Sequence, residues 1–119
     1  MEIETAEPRP LRFVGGAAKD LREFPKEVRR VFGYDLHAIQ CGKAPPGAKA
    51  LKRLPGVMEL AKRHDTGTYR TAYVANIGGM VYVLHCFKKK SKRGIKTPRE
   101  DVNLILSRLQ LAQEDSRGR

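Results

Sequence analysis

Three runs of apolar, β-branched and aromatic residues follow one another closely in the second half of the chain. They read VMELAKRHD (57–65), TYRTAYVAN (68–76) and MVYVLHCFK (80–88). The short segments DTG and NIGG lie at the two junctions, and glycine-containing segments of this length connect neighbouring antiparallel strands. The stretch therefore predicts an antiparallel meander, and a β-sheet is expected at the centre of the fold.

Helical patterns precede the predicted sheet. LRFVG (11–15) is a candidate strand, and AAKDLREFP (17–25) is predicted to form one short helix that proline ends. KAPPGAK (43–49) is predicted to be a loop. Between these segments, apolar residues recur at spacings of three and four, which places them along one face of a second helix. They are Val28, Val31, Phe32, Leu36 and Ile39.

The segment TPRE is predicted to begin a C-terminal helix. Thr97 is the expected N-cap, Pro98 the first helical position, and Glu100 the partner in a capping box. An apolar stripe follows at Val102, Ile105, Leu106 and Leu109. The pattern indicates one α+β domain over residues 1–119, with 1–8 and 115–119 frayed. The two early helices are expected to cover one sheet face and leave the other free, with the last helix near the sheet's edge.

The charge of the chain is unevenly distributed. The formal net charge is +11. Residues 36–99 carry fourteen Lys and Arg against two acids, a charge of +12, and the remainder has ten basic and eleven acidic residues, a charge of −1. Six cations follow the last strand without an acid among them, at Lys88, Lys89, Lys90, Lys92, Arg93 and Lys96. This block favours binding to nucleic acid, and the alternative is a solvated loop.

Composition argues against several other classes of protein. There is no run of eighteen apolar residues, and the acidic N-terminus lacks an apolar signal core, so we expect a cytoplasmic protein without a membrane span. Cys41 and Cys86 have no metal-ligand spacing with the three histidines. We therefore expect neither a metal nor a cofactor. His85 alternates with Val83 and Phe87 and is predicted to be a core residue.

The helical hairpin, YRTAY (69–73) and LHCFKKKSKRGIKTP (84–98) together resemble the RelE/ParE superfamily of bacterial toxins, in particular its phage-derived HigB-like branch. The resemblance covers residues 11 to 112. It implies a RelE-like fold, in which the N-terminal strand and the meander form a small antiparallel sheet packed against two helices. It also implies a type II toxin that cleaves mRNA on the ribosome without a metal. The implied partner is an antitoxin, of a helix-turn-helix type, encoded beside the toxin.

The same resemblance assigns roles to individual residues. Arg70 matches the strand arginine that contacts the scissile phosphate, and Lys89 and Lys90 match the basic pair that ends the next strand. Glu59 matches a glutamate of this branch, but Ala61 stands where the branch has an arginine, and Arg63 is the candidate replacement because it has the same strand parity as Glu59. The expected catalytic set is Arg70, Lys89, Lys90 and Glu59. The expected RNA contacts are Arg63, Lys88, Lys92, Arg93, Lys96 and Tyr73.

The chemistry of RNA cleavage fits these residue types. A base removes the 2′-hydroxyl proton, cations stabilise the charge on the phosphate, and an acid protonates the leaving 5′-oxygen. The guanidinium of Arg70 suits the phosphate role, and a lysine becomes a proton carrier when neighbouring cations lower its pKa. The alternative for Arg70 is an ordinary cross-strand pair, and Tyr73 is equally compatible with core packing.

Two other functions remain open at the level of sequence. A ParE-like inhibitor of DNA gyrase would act by binding and not by hydrolysis. An inactive phage-derived protein would only bind nucleic acid, and the missing arginine at Ala61 is compatible with that possibility.

Overall fold

The computed structural model describes residues 7–65, 67–89 and 97–119. Three helices and a five-stranded sheet form the domain, and the strand order across the sheet is β1-β5-β4-β3-β2. The elements in chain order are β1 (Leu11–Phe13), α1 (Ala17–Arg22), α2 (Lys26–Gln40), β2 (Lys49–Ala50), β3 (Met58–His64), β4 (Gly67–Ile77), β5 (Met80–Lys89) and α3 (Arg99–Arg117). The predicted α+β class is confirmed.

The sheet is mixed, whereas the sequence predicted an antiparallel one. The meander of β3, β4 and β5 is antiparallel as predicted. However, β1 pairs in parallel with β5, where Leu11 lies opposite Val81 and Phe13 opposite Val83. A three-residue strand has no sequence signal for its direction of pairing. A fifth strand, β2, pairs with β3 at the end of the segment predicted to be a loop.

The face of the sheet that α1 and α2 cover contains the first part of the core. The apolar stripe of α2 is buried as predicted at Val28, Phe32, Leu36 and Ile39, whereas Val31 is half-buried. These side chains pack against sheet residues of one face: Leu60, Tyr69, Tyr73, Val81, Val83 and Cys86. Val83 and Cys86 share this face because the β4–β5 register shifts between Ala72 and Tyr73. The burial of this apolar surface is a major stabilising contribution to the fold.

The opposite face of the sheet is not free, contrary to the prediction. Ile105 of α3 is fully buried against a second cluster that includes Tyr82, Leu84 and Phe87, and Val102 packs at its margin. The physical reason is that β5 is an interior strand, between β1 and β4, and is buried on both faces, which its continuous apolar run indicates. Because α3 contacts β5 and β4, the outer part of the face, formed by β3 and β2, remains accessible.

Both ends of α3 differ from the prediction. The helix begins at Arg99, so Pro98 and not Thr97 occupies the N-cap position, and no side chain caps this end. The other end continues to Arg117 and is not frayed, because Asp115 accepts hydrogen bonds from Arg12 Nη1 at 2.8 Å and Tyr82 Oη at 2.6 Å. The hydrogen bond from Tyr82 lowers the pKa of Asp115. Of residues 1–8, which were predicted to fray, residues 1–6 lie outside the described residues.

Candidate active site

A cleft opens on the accessible part of the face that α3 covers. Its volume is about 500 Å³. The segment before β3 forms one wall, β3 and β4 form the floor, and the start of α3 forms the other wall. The described lining residues are Gly47, Lys49, Ala50, Leu51, Lys52, Arg53, Glu59, Ala61, Arg70, Thr97 and Val102. Two residues that the sequence predicted to be catalytic, Glu59 and Arg70, therefore lie in one concave site.

Glu59 and Arg70 form an ion pair on the floor of the cleft. Arg70 Nη1 donates to Glu59 Oε1 at 2.6 Å, and the two side chains are only 14% and 11% exposed. In the β3–β4 register Ala61 lies opposite Arg70 and Glu59 opposite Ala72, so the pair is a diagonal one. Arg70 Nε is buried and has no hydrogen-bond partner among the described residues. Arg70 thus makes the cross-strand pair, and its Nε is left without a hydrogen-bond partner in the described part of the chain.

The second carboxylate oxygen of Glu59 connects the floor to α3. Thr97 Oγ1 donates a hydrogen bond to Glu59 Oε2 at 3.1 Å. The sequence predicted that Thr97 would cap α3, but its hydroxyl donates its hydrogen bond to Glu59 of β3 instead. Glu59 is therefore fixed by a partner from β4 and by one from the segment just before α3, and its carboxylate orients the guanidinium of Arg70.

Lys89 is electrostatically coupled to this pair. Burial and the positive charge of Arg70 lower the pKa of Lys89, and the negative charge of Glu59 opposes that change. The register explains the proximity, because Arg70 lies opposite Phe87 and Thr68 lies opposite Lys89. Glu59, Arg70 and Lys89 consequently form a diagonal across β3, β4 and β5. We define these three residues as the diagonal triad.

Strand parity separates the neighbouring lysine from the diagonal triad. Lys88 Nζ lies 5.6 Å from the centre of the Tyr69 ring, and Tyr69 belongs to the core on the α1–α2 face. Lys88 and Lys89 therefore lie on opposite faces of the sheet, as the sequence predicted for adjacent strand residues. Four further predicted cations lie outside the described residues: Lys90, Lys92, Arg93 and Lys96.

Two other predicted RNA contacts are not in the cleft. Tyr73 is 2% exposed in the core beneath α2, and burial raises its pKa. A buried ring has no surface to stack on a base, so the core interpretation of Tyr73 replaces the predicted RNA contact. Arg63 is exposed and has the strand parity of Glu59. It lies four residues from Glu59 along β3, roughly 13 Å away, and does not line the cleft.

The histidines do not form a catalytic or metal-binding group in the described ranges. His85 Nε2 lies 2.7 Å from Asp101 Oδ1, and the His85 ring stacks on Phe87 with 4.6 Å between ring centres. This position agrees with the predicted core role. His64 Nε2 lies 3.1 Å from Glu27 Oε1. Residues 7–65, 67–89 and 97–119 contain no group of three or more His, Cys, Asp or Glu side chains that could hold a metal ion.

Three cations of the cleft were not predicted from the sequence. Lys49, Lys52 and Arg53 lie on the wall opposite α3 and are exposed. They follow a Pro- and Gly-rich segment without periodicity, so no local signal predicts on which side of the sheet they lie. In the β2–β3 pairing Lys49 lies opposite Glu59, and this pairing places the segment next to the diagonal triad.

Substitutions of Glu59 and of Arg70, the two charged neighbours of Lys89, are expected to shift the pKa of Lys89 in opposite directions. Glu59→Gln should lower the pKa of Lys89 further, because Glu59 raises it, and Arg70→Gln should raise it, because Arg70 lowers it. The measurement is an NMR titration of the Lys89 side chain. Lys62→Gln is the control, since β3 directs Lys62 to the opposite face. Shifts of the same sign in both variants would contradict this arrangement.

The fold is that of the RelE toxins. A doubly substituted variant of E. coli toxin RelE in the free state matches with a TM-score of 0.58 and 17% identity over 87% of this chain and 97% of that chain. The isolated E. coli RelE toxin matches with a TM-score of 0.52 and 18% identity over 85% and 98%. The RelBE2 toxin–antitoxin complex of Mycobacterium tuberculosis matches with a TM-score of 0.48 and 22% identity over 69% and 92%.

The sequence places the chain in a particular family. Residues 19–110 match the family described as "Phage derived protein Gp49-like (DUF891)", and the chain belongs to this family. No curated protein sequence matches the chain closely enough to count as a relative. The phage-derived character predicted from the sequence is confirmed, whereas the HigB-like branch stays a prediction. Within the described ranges, no helix is long and apolar enough to span a membrane.

Proposed function

We propose that this protein is the toxin of a type II toxin–antitoxin system and cleaves mRNA as a metal-independent endoribonuclease on the ribosome. The diagonal triad carries the proposal. Arg70, whose buried Nε has no partner among the described residues, lies on the floor of an open basic cleft. Lys89, whose pKa is lowered by burial and by the charge of Arg70, follows Arg70 on the same diagonal, on β5. Perturbed ionisable groups in a cleft are typical of catalytic sites.

Each member of the diagonal triad has a distinct role in the proposed reaction. Neutral Lys89 accepts the proton of the 2′-hydroxyl as the 2′-oxygen attacks phosphorus. Arg70 donates to the phosphate oxygens as negative charge grows there. Glu59 is a positioning residue, because its carboxylate holds Arg70 and opposes the charge of the two cations. The bond from phosphorus to the 5′-oxygen then breaks, and the products are a 2′,3′-cyclic phosphate and a 5′-hydroxyl.

The leaving 5′-oxygen requires a proton. The sequence resemblance assigns Lys90 to the catalytic set, and an ammonium group is able to donate this proton. Lys90 lies outside the described residues, so this role rests on the resemblance alone.

The proposed partners follow from the charge of the surface. A block of +12 over residues 36–99 attracts mRNA and ribosomal RNA. The same charge favours neutralisation by an antitoxin with an acidic segment, through charge complementarity. We propose that this antitoxin is encoded beside the toxin and contains a helix-turn-helix domain, and that the toxin acts in the cytoplasm.

Induced expression tests this function directly. We expect growth arrest with an immediate block of translation and with new 5′-hydroxyl ends in mRNA. The purified protein should cleave ribosome-bound mRNA at the same positions. A ParE-like protein would instead cause DNA damage without these ends, and that result would contradict the proposal.

A further inference from the structure

The wall of the cleft opposite α3 is a fixed part of the fold and not a loose loop. Its β2 residues pair with β3, Lys49 opposite Glu59 and Ala50 opposite Met58. The following residues form a compact turn, in which the amide of Leu51 donates to the carbonyl of Val57 at 2.9 Å. Leu54 and Val57 are buried beneath it. The segment therefore holds its side chains in defined positions next to the diagonal triad.

This wall presents positive charge that no described acid neutralises. Lys49, Lys52 and Arg53 line the cleft, and none of them forms a salt bridge with a carboxylate in the described ranges. The acid that lines the cleft among the described residues is Glu59, which already pairs with Arg70. Three exposed cations around a concave site favour an anionic ligand with more than one charge.

The interior of the same cleft has an apolar part. Leu51, Ala61 and Val102 line it from the three sides, on the wall, the floor and α3. Ala61 lies directly opposite Arg70 and is exposed to the cleft, where its side chain is a single methyl group. A flat apolar group therefore has room beside the diagonal triad.

We infer that this cleft is a nucleotide subsite for single-stranded RNA. The base lies against Leu51, Ala61 and Val102, and the flanking phosphates bind Lys52 and Arg53. A volume of about 500 Å³ is within the range of small-ligand sites. A base must be unpaired to enter such a cleft, which selects single strands over duplexes. The subsite deepens the proposed function, on which its position beside the scissile phosphate rests.

A binding experiment that excludes cleavage tests the inference. The ¹⁵N-labelled full chain is titrated with a short, fully 2′-O-methylated RNA, in which the attacking hydroxyl is blocked. We expect amide shifts at Ala50, Leu51 and Ala61. The variant with Lys52→Gln and Arg53→Gln should bind about tenfold more weakly at low salt. Its slope of log affinity against log salt should be shallower by about 1.4, for two lost phosphate contacts.

Two further variants separate the subsite from general charge. Lys26→Gln with Arg30→Gln makes the same charge change on the exposed surface of α2 and should leave the affinity within about twofold. Ala61→Leu fills the apolar part without changing any charge and should weaken binding about tenfold through loss of the base contact. A duplex of the same sequence should bind equally well to wild type and to Ala61→Leu.

The outcomes distinguish the subsite from the proposed activity. The inference is wrong if millimolar RNA shifts no amide of this cleft, if shifts occur only elsewhere, or if both double variants lose the same affinity. It is also wrong if Ala61→Leu binds like the wild type. If the binding pattern appears but the protein cleaves no mRNA, the subsite stands and the endoribonuclease proposal fails. If the protein cleaves mRNA while every variant binds RNA equally well, the endoribonuclease proposal stands and the subsite inference fails.

Discussion

Lys89→Gln should lower the rate of RNA cleavage by about 10²- to 10⁴-fold, the usual contribution of a positioned general base or acid. Glutamine keeps much of the length of the side chain but cannot take up a proton at neutral pH. The fold should persist, because Lys89 is at the end of β5 and is half-buried, whereas the core residues of β5 precede it. The measurement is single-turnover cleavage of ribosome-bound mRNA, with a spectroscopic check of folding.

The pH profile distinguishes a proton carrier from a charge that only binds RNA. If neutral Lys89 is the base, the rate should rise with pH and level off at the pKa of Lys89, which burial and the positive charge of Arg70 lower from its ordinary value. In Glu59→Gln the rise of the rate with pH should occur at lower pH, because Glu59 raises the pKa of Lys89 in the wild type. Lys89→Arg keeps the charge but does not deprotonate. Full activity in Lys89→Arg, or an unchanged profile in Glu59→Gln, would show that Lys89 is not the base.

Local patterns in the sequence predicted the elements in which buried residues recur with a regular period or turn segments separate the strands. The spacing of Val28, Phe32, Leu36 and Ile39 predicted the buried stripe of α2, because helical period and burial coincide there. The turn segments predicted the β3–β4–β5 meander. The direction of β1 was not predictable, because it depends on contacts with β5 that are about seventy residues distant in the chain. The apolar run of β5 indicated two-sided burial, and the prediction of a free face overlooked that signal.

The part of the candidate site that lies in the β3–β4–β5 meander, including Glu59 and Arg70, was predictable from the sequence. A hairpin that pairs His64 with Gly67 fixes every other pair between β3 and β4. That register places Glu59 diagonal to Arg70 on the same face, so their proximity follows from the position of the turn. Thr97 and the wall of Lys52 and Arg53 come from segments with no periodic pattern. Their positions are set by tertiary packing of α3 and by the pairing of β2 with β3, which no local signal predicts.

Arg70→Ala should reduce cleavage by on the order of 10²-fold, the typical cost of losing one preorganised donor to a transition-state anion. Arg70 is the described arginine on the cleft floor, and its buried Nε has no partner among the described residues. The variant should still fold, since Glu59 keeps the hydrogen bond from Thr97 and the nearby charge of Lys89. Growth on induced expression and single-turnover cleavage provide two independent readouts.

Two control variants determine which property of Arg70 matters. Arg63→Ala removes an exposed arginine of the same face that does not line the cleft, so its rate should stay within about threefold of wild type, as for a surface substitution outside the site. Arg70→Lys keeps the charge of the pair with Glu59 but loses the planar fork, so it should fold and still lose at least about tenfold in rate. Wild-type cleavage by Arg70→Ala would assign Arg70 to the cross-strand pair alone. Equal losses in Arg63→Ala and Arg70→Ala would show that total positive charge, and not the geometry of the diagonal triad, determines the rate.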